Sequence, residues 1–313
     1  MSKYLVTGGA GFIGSNIVEE LAAMGEEVVV LDNLSTGYRD NIEEFIGDID
    51  LIEGDIRDPE AVNKGMSGVD YVLHQAALAS VPRSIDDPVL VNDVNVNGTI
   101  NVLEQARKAG VRSLVYAASS SAYGDSEISP KHEELRPGPL SPYAVSKLVG
   151  EHYCSVYSNV YGLPTVSLRY FNVFGPRQDP GSQYAAVVPI FISSLLEGKT
   201  PVIYGDGEQS RDFTYVSNVV KANILAAKSE GAEGEMMNVA CGDQYTVNRL
   251  LDIIKENLES DTEPEYADPR PGDVKHSLAD ISKAEQMIGY SVDVTFEQGL
   301  KKTIDWYRHN YKS

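Results

Sequence analysis

Apolar positions in the first half of the chain follow two alternating rhythms. Short β-branched runs of strand length stand at 4–7, 27–31, 49–53, 69–74, 113–117 and 165–169. Between them, apolar residues at helical spacing occupy segments near 12–24, 59–65, 88–108 and 142–161. Strand and helix alternating across short connections predict a parallel sheet covered by helices on both faces. Near-continuous apolar strands such as Val28-Val29-Val30-Leu31 fit burial from both sides. The expected fold class is α/β, a doubly wound parallel sheet.

The rhythm breaks after about residue 172. Residues 172–184 are polar and carry Gly175, Pro176, Pro180 and Gly181, which predicts a loop. Helices are expected over 187–197, 217–228, 246–258 and 296–309, with short strands near 201–204 and 236–239 and another loop at Asp268-Pro269-Arg270-Pro271-Gly272-Asp273. The chain thus divides into a first domain, 1–171, to which 212–239 returns, and a smaller C-terminal lobe built mainly from 172–211 and 240–313. Such a lobe would close over the carboxyl ends of the strands, where open α/β sheets place ligands.

Composition narrows the possible partners. The 313 residues carry 26 Lys+Arg against 46 Asp+Glu, a formal charge of −20. A chain this acidic is a poor match for nucleic acid or an anionic membrane surface, both of which need a basic footprint. Any polyanion must be held locally, by backbone N–H groups or a few arginines. No apolar run approaches the roughly 18 residues of a membrane span. The opening residues Met1-Ser2-Lys3-Tyr4-Leu5-Val6 lack the apolar stretch of a secretory signal, so a cytoplasmic location is expected. Cys154 and Cys241 are too few for a disulfide scaffold, and the histidines show no metal-ligand spacing, so no metal is expected.

The first turn carries candidate chemistry. Gly8, Gly11 and Gly14 follow the first strand and open the first helix in the spacing G-x-x-G-x-x-G. That arrangement supplies a tight turn, a close backbone approach to a pyrophosphate and close helix–strand packing, with free N–H groups at the helix start. Asp32 ends the second strand 18 residues beyond Gly14. A carboxylate there accepts from an adenosine ribose 2′-hydroxyl and repels a 2′-phosphate, which favours NAD over NADP. A structural glycine turn beside a surface aspartate is the plainer alternative, but the strand–turn–helix context argues for a Rossmann-type dinucleotide site.

Tyr143 and Lys147 lie four residues apart on a helix that starts after Ser141-Pro142, so they share one face. An ammonium near a phenol lowers its pKa from about 10, as a tyrosine acting as base at neutral pH requires. Tyrosine–lysine pairs on half-buried helices are common, so this pair alone leaves the matter open. Ala117-Ala118-Ser119-Ser120-Ser121-Ala122-Tyr123-Gly124 follows a predicted strand, which places hydroxyls at the carboxyl edge of the sheet, although serine-rich strand ends are also ordinary turn chemistry.

Taken together, the glycine loop, the acidic strand end, the serine triplet and Tyr143-x-x-x-Lys147 resemble the extended short-chain dehydrogenase/reductases over essentially the whole chain. The stretches Leu140–Lys147, Arg169–Pro180 and Gly205–Phe213 narrow the resemblance to UDP-hexose 4-epimerases, especially those accepting N-acetylated sugars. The resemblance implies Ser119, Tyr143 and Lys147 as catalytic residues, with Tyr143 the base and Lys147 on the nicotinamide ribose. It implies NAD contacts from Gly8, Gly11, Phe12, Ile13, Gly14, Asp32, Asn33, Ser35, Thr36, Asp55, Ile56, Gln75, Ala76, Ala77, Leu78, Tyr143, Lys147 and Phe171. For a UDP-sugar it implies Ala79, Ser80, Ser119, Ser120, Asn172, Ala186, Val187, Tyr204, Arg211, Arg270, Asp273 and Ser277. Arg211 and Arg270 would take the pyrophosphate, Asp273 the uridine ribose and Tyr204 the uracil. The activity implied is inversion at C4 through a transient 4-keto sugar.

Relatives divert that intermediate differently. Nucleotide-sugar 4,6-dehydratases resemble this pattern but carry an Asp-Glu pair after the catalytic hydroxyl, and UDP-glucuronate decarboxylases a glutamate nearby; here Ser120 and Ser121 follow Ser119. UDP-glucuronate 4-epimerases, the alternative epimerase reading, often show threonine at the position of Asn172. A non-catalytic NAD-binding sensor would need the glycine loop and Asp32 but not Ser119, Tyr143 and Lys147 together. Ser277 resembles the position where a bulky residue excludes an N-acetyl group, so both plain and N-acetylated hexoses are expected, while Ala79, where glycine is usual in N-acetyl-preferring relatives, biases toward plain ones. Relatives pair two long helices per subunit, which implies a homodimer.

Overall fold

The computed structural model describes residues 1–181, 186–269 and 275–310. β1 (Lys3–Thr7) runs through the glycine loop into α1 (Phe12–Ala23), followed by β2 (Glu27–Asp32), β3 (Ile49–Glu53), α2 (Pro59–Gly65) and β4 (Tyr71–His74). Next come α3 (Val81–Asp86), α4 (Pro88–Asn92), a π-helical turn over Asp93–Asn97, and α5 (Gly98–Ala109). β5 (Ser113–Ser119), α6 (Pro142–Tyr161) and β6 (Thr165–Tyr170) complete the first half. Then follow β7 (Val173–Phe174), α7 (Val187–Leu196), β8 (Val202–Tyr204), β9 (Ser210–Arg211), β10 (Thr214–Tyr215), α8 (Val216–Lys228) and β11 (Met236–Val239). The last elements are β12 (Tyr245–Thr246), α9 (Val247–Leu258), β13 (Glu265–Ala267), α10 (Ser282–Ile288) and α11 (Phe296–Asn310).

Seven parallel strands form one sheet in the order β11-β6-β5-β4-β1-β2-β3. This is the Rossmann-like architecture expected from the alternating rhythm. The strand order reverses at β1, which lies between β2 and β4 and opens a crevice at the carboxyl ends. Successive strand residues point to opposite faces. Leu5, Val29, Leu31, Val72 and Leu114 therefore join Val62, Val102 and Leu103 on one face. Tyr4, Val6, Val28, Val30 and Val115 join Ile17, Val18 and Val219 on the other. The second core extends to the C-terminal helix α11 through Phe213, whose ring stacks on Phe296 at 5.2 Å.

Several segments depart from the pattern read in the sequence, among them α3 and the short strands β9, β10, β12 and β13. The span 88–108 is not one helix: Asp87 caps a fresh start at Pro88, and the π turn interrupts the run before Gly98. The stretch expected as a loop over 172–184 contains β7, which pairs in parallel with β10. α10 was not foreseen, being seven residues long and closed by Gly289 in the left-handed region. Among the described residues no helix is long and apolar enough to cross a membrane.

Candidate active site

The glycine loop is built by close backbone packing. Gly8 has φ +70, and a Cβ there would meet the Ala76 backbone at 2.7 Å. A Cβ on Gly14 would be driven into the Gly8 carbonyl. A Cβ on Gly11, by contrast, would meet only that carbonyl oxygen, at 3.2 Å. Gly11 is the N-cap of α1 and contributes no side-chain cap, so the first-turn N–H groups face an open approach. Asp32, buried at the end of β2, accepts from the N–H groups of Ala10 at 2.9 Å and Leu34 at 2.8 Å. Burial pushes its carboxyl upward against those two hydrogen bonds. The loop after β2 folds back on the same turn, where Tyr38 N–H and Asn41 Nδ2 both donate to Ala10 O. Sequence reasoning missed these two. A pyrophosphate at Gly11 and a ribose at Asp32 fit this cradle.

Beside it, Asn33, Ser35 and Thr36 lie exposed at the rim. Asn33 Nδ2 donates to Asp55, and Arg57 grips the same carboxylate, holding it near 2. Ile56 is buried beneath Gly98, whose added Cβ would strike its side chain at 2.6 Å.

At the ends of β1 and β4 a buried polar chain fixes the segment 75–78. Thr99 donates to Asn95 O, so His74 Nε2–H donates to Thr99 Oγ1 at 3.0 Å, and Thr7 donates to His74 Nδ1 at 2.7 Å. Burial, assisted by the Lys147 charge, holds His74 neutral with a pKa near 3. Ala76 N–H donates to Thr7 Oγ1, and Ala77 lies half-buried beside it. Asn95, in the π turn, takes the Leu78 N–H at 2.8 Å and donates to Leu78 O and Ser146 Oγ. One amide thus joins the 75–78 segment to α6. Gln75 is tied to Tyr170 and Asn223.

α6 starts sharply because Ser141 Oγ accepts the Ala144 N–H and Pro142 occupies the first turn. That start fixes the rotation of Tyr143 and Lys147. Ser119, the last residue of β5, stands near the Tyr143 phenol. Burial pushes the phenol above its usual value, and the nearby Ser119 hydroxyl opposes that rise. Lys147 is 4% exposed and donates to Ala117 O at 2.7 Å. Burial lowers its pKa to about 8, with the Glu151 charge working the other way. The helical spacing suggested an ammonium aimed at the phenol; the Lys147 head is instead held by the β5 carbonyl, and the Ser119 hydroxyl is the group that acts on the Tyr143 phenol. Glu151, one turn beyond Lys147, forms a buried bidentate pair with Arg169 at 2.8 and 2.7 Å.

On the lobe side, Asn172 adopts φ +34, donates to Asp212 O at 3.0 Å and follows the buried Phe171. Arg211 donates to Ser210 O and Lys275 O, and Ser277 N–H donates to Ser210 O, so the gate position runs beside the arginine. Asp212, fully buried, accepts from the N–H groups of Cys241, Gly242 and Ala279, and burial pushes it to about 7 against those bonds. Tyr204 is partly exposed on β8, Ala79 is exposed, Ser80 caps α3, and Ala186 caps α7 directly before Val187. Ser120 opens the turn after β5. Arg270 and Asp273 lie outside the described residues.

A model of the NAD dependent epimerase/dehydratase family matches residues 4–240. The UDP-glucose 4-epimerase of Mycolicibacterium smegmatis is 38% identical over 316 residues, covering 98% of this chain and 99% of that protein. A solved UDP-N-acetylglucosamine 4-epimerase from Methanobrevibacter ruminantium, in complex with UDP-N-acetylmuramic acid, has a TM-score of 0.94 at 44% identity over 98% of both chains. The UDP-glucose 4-epimerase of Thermus thermophilus, solved with NAD, has a TM-score of 0.89 at 42% identity, covering 98% of this chain and 99% of that one.

Proposed function

The chain belongs to the NAD-dependent epimerase/dehydratase family, and from that premise we propose that it is an isomerase inverting C4 of a UDP-hexose. The observation that carries this reading is the junction of Ser119, Tyr143 and Lys147 at the sheet end that also carries the glycine loop. Within it Tyr143 is the proton-transfer group, while the nearby buried carboxylates are committed elsewhere: Glu151 to Arg169 and Asp212 to three backbone N–H groups. Among the described residues one acid–base group stands at this site, which suits removal and return of hydrogen at one carbon, whereas elimination of water would use a second carboxylate.

The glycine loop and Asp32 hold the NAD pyrophosphate and ribose, and 75–78 flanks the nicotinamide. When bound, NAD supplies a hydride acceptor and donor, so that a 4-keto sugar forms and is reduced on its other face. Tyr143 takes the 4-hydroxyl proton and later returns it; Ser119 hydrogen-bonds the same oxygen. Lys147, held by Ala117 O, orients the nicotinamide ribose. Arg211, Tyr204 and Asn172 grip the uridine diphosphate, leaving the sugar free to turn. Ser277 is small enough to admit an N-acetyl group, so UDP-GlcNAc joins UDP-glucose among the substrates.

The assembly proposed is a cytoplasmic homodimer. Val145, Tyr153, Val156 and Val160 form an exposed stripe along α6, and Ile85 and Val89 are 63% and 78% exposed on α3 and α4, which pack against α6. An apolar face of this kind suits a second copy of the chain. Sedimentation would give twice the chain mass.

The decisive test incubates purified protein with UDP-glucose, UDP-GlcNAc and UDP-glucuronate without added NAD and resolves the products by NMR. Formation of the C4 isomer of either of the first two supports the reading, and absence of every C4 isomer overturns it. Tyr143→Phe should lose turnover while retaining bound NAD.

A further inference from the structure

The turn after β5 holds more hydrogen bonds than the backbone requires. Ser119 sits in extended conformation as the N-cap of the 3-10 turn Ser120–Tyr123, and its Oγ accepts the Ser121 N–H at 3.2 Å. That single bond satisfies the cap. The Ser121 hydroxyl then donates to the same oxygen, at 2.8 Å. A serine oxygen has one proton and two acceptor positions. With both acceptor positions filled by Ser121, the remaining Ser119 proton is left to donate on its other side, and the Ser119 hydroxyl acts on the Tyr143 phenol, opposing the rise that burial causes.

We infer that Ser121 is a positioning residue: by occupying the second acceptor site of Ser119, it fixes that hydroxyl as a donor toward Tyr143 and the reacting sugar oxygen. A fixed donor matches both states the reaction must stabilise, a phenolate and an oxygen gaining carbonyl character. A hydroxyl free to rotate would present a lone pair to these oxygens part of the time and oppose the same charge. Chained hydroxyls also polarise one another, so the outer donor strengthens the inner one. The inference rests on the proposed roles of Ser119 and Tyr143.

The test compares Ser121→Ala and Ser121→Thr with the unmodified enzyme, all carrying NAD as purified. The titratable groups around the phenol are Lys147 on α6 and Tyr116 on β5; His74 remains neutral and Glu151 stays paired with Arg169. Tyr143 titration is read as the ultraviolet difference between each protein and its Tyr143→Phe counterpart, which cancels the other tyrosines. Ser121→Ala should lower kcat about tenfold with KM nearly unchanged, and raise the pH at which Tyr143 ionises. Ser121→Thr, which keeps the hydroxyl, should restore both. An unmoved titration with wild-type kcat overturns the inference, as does a loss that threonine does not restore. The titration does not need turnover. A normal shift in a protein that converts no UDP-sugar would therefore support the Ser121 role and sink the reaction reading instead.

Discussion

Glu151 and Arg169 give the sharpest quantitative test of how this site is built. Their side chains are 5% and 1% exposed and joined by two bonds of 2.8 and 2.7 Å. Replacing Glu151 by leucine strands a guanidinium in the core, which should destabilise the fold by about 3 to 5 kcal/mol. The pair itself is not an optimal solution, since Arg169 Nη1 is buried without a partner and the guanidinium lies 4.5 Å from the Tyr123 ring. A Glu151→Leu/Arg169→Met double variant removes both charges and should return to within about 2 kcal/mol of the parent, a smaller loss than either single variant shows. Urea unfolding of the four proteins, matched for bound NAD, measures it. Activity should behave differently. Burial lowers Lys147 to about 8 and the Glu151 charge opposes that fall, so losing Glu151 shifts Lys147 lower still. The alkaline limb of kcat should therefore move to lower pH in both Glu151→Leu and the double variant. Stability recovered with the limb still displaced is the expected signature. A double variant as unstable as the single one, or an unmoved limb, refutes the account.

Three further outcomes are expected. Folding raises Asp212 from its ordinary value to about 7, so the folded chain keeps a proton that the unfolded chain releases above about pH 4. Stability should accordingly fall as pH rises through that window; Asp212→Asn should flatten the decline in urea midpoint, and an unchanged slope would count against it. At Gly150 an added Cβ would collide with the Tyr116 ring, so Gly150→Ala should shift α6 away from β5 and lower kcat at least about tenfold, as kinetics on the folded, NAD-loaded variant would show. Ser277→Tyr should lower the ratio of UDP-GlcNAc to UDP-glucose turnover about tenfold or more, and equal losses on both sugars would remove Ser277 from the specificity argument.

Legibility followed the range of the interactions. Strands buried on both faces announced themselves as apolar runs, and the glycine loop with Asp32 was readable because its function depends on local spacing. β11 was visible as a short strand, but its pairing with β6 was less so, since 66 residues separate Tyr170 from Met236. Arg169 was read inside a strand with no sign that the strand would bury it; its partner Glu151 lies on another element. The π turn that presents Asn95 to both Leu78 and Ser146 has no sequence signal of its own. The helical spacing of Tyr143 and Lys147 placed both on one face, but only the position of the β5 carbonyl decided what the lysine would hold.

The distribution of rigid and loose parts follows from the reaction. A C4 inversion with one tyrosine requires that the sugar present two faces to a fixed hydride site, so the acid–base residues must not move while the sugar does. Ser119 ends a central strand, Tyr143 and Lys147 stand on a capped helix, and Asn95 binds that helix to the segment 75–78. The lobe residues sit differently. Asn172, Arg211 and Ser277 are carried on loops and two-residue strands around Asp212, whose backbone carbonyl accepts from Asn172 and whose buried carboxylate accepts from the Cys241 and Ala279 N–H groups. Such short elements resist shear less than the seven-stranded sheet and can adjust to sugars of different width while the diphosphate is held. If the hub at Asp212 is what keeps Arg211 and Ser277 in register, weakening it should raise KM for every UDP-sugar together and leave kcat close to the parent value. A selective fall in kcat would place Asp212 with the rigid half of the site instead.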